Sequence, residues 1–260
     1  MKQILLLVLT ASALASTASA DQWKRDYAVS GKPEVRLSTG DGSVEFMVWD
    51  RNQVSVSVYT EGWQIGADGI RIEEHQTGDR IEVTLHIPQG NWCLFCNRSI
   101  HVDVNLPRDA NIDVHTGDGS IRGSRVRGSL FLHTGDGSIH VEEIDGEIAA
   151  HSGDGGINVD GRFDALKVDT GDGSIRAGID RGSKMRGAWY LHSGDGSIDV
   201  SLPEDLSANL DVRTGDGSIR SDLSLSDSDQ HHHSLRGKLN GGGPLLELRS
   251  GDGSIHLRKD

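Results

Sequence analysis

Leu130-Phe131-Leu132-His133-Thr134-Gly135-Asp136-Gly137-Ser138-Ile139-His140-Val141-Glu142 carries the plan of the chain. Leu130, Leu132, Ile139 and Val141 alternate with Phe131, His133, His140 and Glu142, the period-two pattern of strands with one buried face. Between the two runs stands Thr134-Gly135-Asp136-Gly137-Ser138, a turn signal. A second turn follows at Ile144-Asp145-Gly146, and Ile148 then opens the next alternation. Moving outward, the same order returns in His151-Ser152-Gly153-Asp154-Gly155-Gly156-Ile157-Asn158-Val159. The motif aspartates are Asp41, Asp118, Asp136, Asp154, Asp172, Asp195, Asp216 and Asp252. From Asp118 to Asp172 they are 18 residues apart three times running.

A constant period means one supersecondary unit, copied. Each copy holds two strands of about five residues and two turns, and no segment carries a helical period. The predicted class is all-β. Asp-Gly between alternating runs also suits hairpins, which would give an antiparallel β-meander. Near-identical units at fixed period are better used by stacking, so a β-solenoid-like fold is favoured. Ile121, Ile139, Ile157 and Ile175 would then form one inner ladder.

After Asp172 the spacing becomes 23, 21 and 36 residues. The last gap is twice the period, so Ser221 to Ser234, with His231-His232-His233, reads as a solvated loop on a coil that lacks the motif. Between Asp41 and Asp118 the β pattern is less regular, as in Val54-Ser55-Val56-Ser57-Val58 and Ile81-Glu82-Val83-Thr84-Leu85. The expected organisation is a signal peptide over 1–20, a β region over 21–110 that caps and continues the stack, and a repeat solenoid over 111–260.

The leader expectation rests on Lys2, the apolar run Ile4 to Leu9 and the small-residue site Ala18-Ser19-Ala20. It predicts export to the periplasm or the cell surface. No later run approaches the ~20 apolar residues of a membrane span. The whole chain carries a formal charge of −13, or −14 without Lys2, which disfavours nucleic acid and anionic membrane and favours cations or basic partners. Thirty-four glycines against 5% aromatics fit many tight turns rather than one large core. In an oxidising compartment Cys93 and Cys96 are expected to form a loop disulfide. Redox and metal roles are the alternatives, but the pair lacks a helix to lower a thiol pKa, and Asn97 in place of histidine excludes a c-type haem attachment.

The Thr-Gly-Asp-Gly-Ser-Ile repeats, the link Val104-Asn105-Leu106-Pro107 and the ending Leu239-Asn240-Gly241-Gly242-Gly243-Pro244-Leu245-Leu246-Glu247-Leu248 resemble the bacterial "putative adhesin" domains of unknown function. The resemblance covers roughly 30 to 260 and implies a β-solenoid-like fold and an envelope location. It transfers no catalytic residue.

Gly-Asp-Gly needs no ligand: glycine reaches positive φ, aspartate bonds nearby backbone, and flanking glycines let coils approach. A sharper reading follows from stacking, because carboxylates repeating at about 4.8 Å repel and could recruit calcium. The motif differs from the calcium-binding nonapeptide repeat in its glycine register. Three residues before each aspartate stand Ser38, His115, His133, His151, Asp169, His192, Arg213 and Arg249. His115, His133 and His151 are candidate imidazole ligands for zinc, copper or nickel, or else an exposed strand position that tolerates any polar residue. Thr116, Thr134 and Thr170 form a threonine column that an ice-binding face could use, although Ser152 and Ser193 interrupt it.

Parallel β-helices also host polysaccharide-active enzymes. Here the acids repeat uniformly, the five tryptophans are scattered, and no nucleophile elbow, metalloprotease helix or phosphate loop occurs. The sequence therefore predicts a non-catalytic, adhesin-like envelope scaffold without a cofactor, binding an extended glycan or protein partner. A polysaccharide-active enzyme and a calcium-stabilised adhesion module are the alternatives.

Overall fold

The computed structural model describes residues 20–66, 69–88 and 98–260. All of the expected 1–20 leader except Ala20, which opens the first strand, and the expected Cys93–Cys96 disulfide lie outside the described residues. Apart from these, the chain is a two-faced stack of short strands with the apolar side chains between the faces.

On the front face the strands follow one another in space as Arg71–Thr77, Arg80–His86, Glu34–Thr39, Asn111–Thr116, Arg127–Thr134, the second half of Ile139–Ser152, and the second half of Ile157–Thr170. Trp189–Ser193, Leu245–Ser250, Ala208–Thr214, Ser234–Leu239 and Ser226–His231 complete it. The back face runs Ala20–Ala28, Gln53–Glu61, Ser99–Leu106, Ser43–Val48, Ile121–Ser124, and the first halves of Ile139–Ser152 and Ile157–Thr170. Ile175–Ile179, Ile198–Leu202, Ile255–Lys259 and Ile219–Ser221 follow. Every pairing inside the stack is parallel, which makes the fold a solenoid and not a meander. Among the described residues, antiparallel pairings occur only towards the two ends.

The inner ladder of isoleucines is present and longer than predicted. Val44, Ile121, Ile139, Ile157, Ile175, Ile198, Ile255 and Ile219 are consecutive in register, and all are buried. Such burial stabilises by about 25 cal/mol per Å² of apolar surface removed from water. The next inward position is tuned by volume. Phe46 is fully buried opposite Gly123, whose missing Cβ would lie 1.9 Å from Phe46 Cε2.

The two corners of a coil use glycine differently. At Gly-Asp-Gly the backbones of neighbouring coils touch: Gly135 N–H donates to Gly117 O at 2.6 Å, and a Cβ on Gly137 would stand 2.1 Å from Gly119 O. Among these motif glycines only Gly42 has a positive φ, at 124°. Close approach therefore explains the glycines, and left-handed backbone does not. The left-handed residues sit at the other corner, at Arg125, Glu143, Gly128 and Gly146. There the chain bends without a break, and Ile139–Ser152 rounds the corner as one 14-residue strand with bulges beyond Val141 and Gly146. Asp145 is held at this corner by Arg162 and Arg127 from the two adjacent coils. Those hydrogen bonds, Arg162's above all, keep its carboxyl below the usual carboxylate range.

Sequence order and spatial order part company at both ends. The first coil, Glu34–Val48, lies one place inside the stack, between the coil of Arg80–Leu106 and that of Asn111–Ser124. The last coil, Leu245–Lys259, likewise inserts between Trp189–Leu202 and Ala208–Ser221. The 36-residue gap is thus no coil without the motif, which corrects the sequence reading. It holds a hairpin, Ser226–His231 antiparallel to Ser234–Leu239, and then the return of the chain into the stack. The predicted solvated loop is a strand, and all six of its residues are exposed. Its serines and aspartates blunt an open edge that would otherwise pair with another chain. At the opposite end Glu74 of the front edge strand accepts hydrogen bonds from Arg25 Nη2 and Tyr27 OH of the back edge strand, each at 2.6 Å. That contact ties the two faces together across the open end.

Candidate functional site

The outer side of the front face carries the position predicted three residues before each motif aspartate. In space the column runs Ser38, His115, His133, His151, Asp169, His192, Arg249 and Arg213. The strand ladder sets the rings one coil apart, so His115 and His133 have centroids 5.5 Å apart. His133 and His151 stack at 5.0 Å with an 11° interplanar angle. Stacked rings do not aim their nitrogens at a common point. His151 Nδ1 and His192 Nδ1 each meet one carboxylate oxygen of Asp169, at 2.8 and 2.9 Å. His115 Nε2 meets Asp113 Oδ1 at 2.8 Å. His133 has no hydrogen-bond partner among the described residues. Burial, and then the neighbouring His151 and His115, hold its imidazole below the ordinary histidine value. Among the described residues, no three potential ligand atoms of this column come within 4.8 Å of one another.

The column borders a groove of about 380 Å³ lined by His115, His133, His151, Asp169, Phe131 and Lys167, together with alanines. A second depression of about 260 Å³ continues it over Ala149 and Ala165 to Tyr190. Phe131 and Tyr190 are among the few large apolar side chains left exposed, at 54% and 43%. They belong to one outward column, Phe131, Ala149, Lys167, Tyr190, and stand three ladder steps apart, about 14 Å at the usual strand spacing. Two aromatic walls thus flank a floor of alanine methyl groups. Lys167, whose ammonium forms no ion pair among the described residues, lies between them. A search for tryptophans could not find this pair. Aligning the repeats on the motif aspartate does, since both residues lie five positions before it.

The motif aspartates form a file along one edge in the spatial order Asp41, Asp118, Asp136, Asp154, Asp172, Asp195, Asp252, Asp216. All eight are exposed, and their carboxylates take no hydrogen bond or ion pair among the described residues. Although its residue is exposed, partial desolvation, and then the charge of Asp118, push the Asp41 carboxyl up. The threonine column faces inward: Thr116, Thr134, Ser152, Thr170 and Ser193 are buried, so it offers no ice-binding surface. Each hydroxyl donates to the carbonyl of the last glycine of the preceding coil's turn. Thr134 Oγ1 to Gly119 O at 2.8 Å and Thr170 Oγ1 to Gly155 O at 2.9 Å are two examples.

Residues 33–258 match the Toastrack DUF4097 family. The chain belongs to that family. A solved structure of a "putative adhesin" from Bacteroides fragilis NCTC 9343 superimposes with a TM-score of 0.51 at 13% identity, covering 94% of this chain and 99% of that one. A "putative cell adhesion protein" from Clostridium sporogenes ATCC 15579 gives a TM-score of 0.45 at 13% identity, covering 93% and 100%. No curated protein is significantly similar in sequence. At this identity the likeness shows the Toastrack fold alone. No helix among the described residues is long and apolar enough to cross a membrane.

Proposed function

We propose that this Toastrack chain is a non-catalytic binding scaffold of the cell envelope, exported and adhesin-like, whose front face takes an extended glycan or protein partner. One observation carries the reading: Phe131 and Tyr190 stand exposed on one outward column, with a shallow alanine floor and a lone ammonium between them. Exposed aromatics rimmed by polar groups mark recognition surfaces, and aromatic anchors supply most of the energy where they are buried by a partner. A rigid parallel ladder keeps the two rings at a fixed separation, which suits a stiff repeating ligand. The Bacteroides fragilis neighbour is itself titled a "putative adhesin", which agrees with a surface role.

A scaffold binds without turnover. On the front face Asp169 and Asp113 are each engaged by histidines, and Glu147 lies within 3.8 Å of Arg186, so these acids are committed to the surface network. The test is co-sedimentation of the purified protein with envelope polysaccharide and peptidoglycan, with release of reducing ends measured in parallel. Binding that falls at least about tenfold in the Phe131→Ala/Tyr190→Ala double variant, with an unchanged melting curve and no released ends, is the expected result. Release of reducing ends by the wild type would favour the polysaccharide-active alternative. Equal binding by the variant would remove the groove from the account.

A further inference from the structure

We propose that Glu45, His101 and Asp103 on the back face form a divalent-cation site suited to zinc. Glu45 and Asp103 are opposite each other across the parallel pairing of Ser43–Val48 with Ser99–Leu106, and His101 precedes Asp103 by two residues on the same outward side. One potential ligand atom from each of the three lies within 4.8 Å of the other two. Among the described residues no other group of three does so. Zinc held at about 2.0–2.2 Å needs donors a little closer together than this, a change that side-chain rotation supplies. The backbones need not move, because both strands are paired on either side.

Histidine–acid pairs two residues apart recur over the outer faces, as in His115–Asp113, His140–Glu142 and His231–Asp229. Among the described residues, only at His101 does a second carboxylate from the neighbouring strand come within 4.8 Å of both members of the pair. Glu45 takes no hydrogen bond or ion pair among the described residues. Arg122 stands beside it in the ladder, on the side away from Asp103, without pairing with it. Two carboxylates at ladder spacing, with no cation between them, favour one that can bridge them.

The imidazole is already oriented. Ser43 Oγ lies 2.7 Å from His101 Nδ1, and Nε2 lies 2.7 Å from Asp103 Oδ1. Without an ion, the Nε2 proton bonds Asp103 and Ser43 donates to Nδ1. When a cation takes the place of the Nε2 proton, Nδ1 carries the hydrogen and the serine oxygen accepts it. This is the supporting hydrogen bond that metal-bound histidines use. One imidazole and two carboxylates suit zinc better than calcium or magnesium, which prefer all-oxygen shells. Three protein ligands leave a coordination position open towards solvent.

The experiment is isothermal titration of chelator-stripped protein with zinc chloride, with melting curves in parallel, in a background carrying His231→Ala, His232→Ala and His233→Ala. The expected result is one ion per chain and a melting temperature raised by several degrees at 100 times the dissociation constant. Binding should disappear in Glu45→Gln and His101→Ala, and weaken about 10- to 100-fold in Ser43→Ala, whose residue touches no ion. Glu45→Gln alters an unpaired surface side chain and should fold as the parent does, which circular dichroism checks. Absence of zinc binding in the parent would overturn the proposal. So would a stoichiometry and a thermal shift that are unchanged in both Glu45→Gln and His101→Ala.

Discussion

Ser152, fully buried, donates its hydroxyl proton to the Gly137 carbonyl of the preceding coil at 2.8 Å. It also accepts the amide proton of Gly155 at 2.9 Å. The same double contact links Thr134 to Gly119 and Gly137, and Thr214 to Gly253 and Gly217. A buried polar column runs beside the apolar core, and its hydroxyls serve corner groups that the β-ladder leaves over. Threonine and serine alternate there because the hydroxyl, not the methyl, is what the position requires.

Removing one hydroxyl should therefore cost more than removing one methyl. Thr134→Val keeps the shape and strands the Gly119 carbonyl and the Gly137 amide, a penalty of about 1–3 kcal/mol. Thr134→Ser should be nearly neutral, as Ser152 and Ser193 already show at equivalent positions. Urea denaturation of the three proteins would decide, and equal midpoints for the valine and serine variants would refute the role of the column.

Glycine at the Gly-Asp-Gly corner is required by contact. Gly137→Ala drives a Cβ to 2.1 Å from a neighbouring backbone oxygen, which cannot yield without parting the coils. A loss of about 1–3 kcal/mol or more is expected. Gly187→Ala, where nothing lies within 4 Å of the added carbon, is the matched control and should be neutral. Thermal melts of both variants provide the comparison.

The aspartate file is self-repelling. Neighbouring carboxylates recur at about the ladder spacing, well inside the ~10 Å Debye length at 0.1 M salt. Raising sodium chloride should stabilise the wild type, and Asp136→Asn/Asp154→Asn should shrink that gain. Asp41 gives the clearest sign. Its folded carboxyl is raised above the ordinary 3.8, so the stability it contributes is complete below that value and lost as pH rises through the folded one. Asp41→Asn is accordingly expected to be neutral to stabilising at pH 7, as read from the melting temperature.

His133 has the opposite pH signature. Its folded pKa is depressed, so the unfolded chain binds the proton more readily. Its contribution is complete above the unfolded value of 6.5 and lost as pH falls through the lower folded one. Between pH 7.5 and pH 5.5 the urea midpoint of the wild type should fall further than that of His133→Gln. Parallel curves for the two proteins would show that stacking leaves His133 without influence on stability.

Much of this was legible in the repeat. Alternation in Leu130–Val141 predicted strands, the 18-residue period predicted stacking, and Ile121, Ile139, Ile157 and Ile175 predicted the inner ladder. All follow from local chemistry acting identically in each copy. The inward side of the threonine column is legible in the same alternation, since Thr134 follows Leu130 and Leu132 and is buried with them, which rules out the ice-binding reading. The pairing of Phe131 with Tyr190 is legible only once unequal repeats are aligned, and the trio of Glu45, His101 and Asp103 comes from segments with no shared period at all.

The sequence by itself determined the unit: two strands, a crowded glycine corner, a buried hydroxyl and an outward polar file. Only the tertiary structure decided the order of the units. Each coil offers its neighbours nearly the same Ile, Thr and Gly edge, so ladder chemistry scarcely distinguishes one neighbour from another. The order is fixed by what cannot repeat. The antiparallel strands Ala20–Ala28, Gln53–Glu61 and Arg71–Thr77 at one end, and the hairpin Ser226–Leu239 at the other, occupy the ends and leave the first and last coils to insert one place inside.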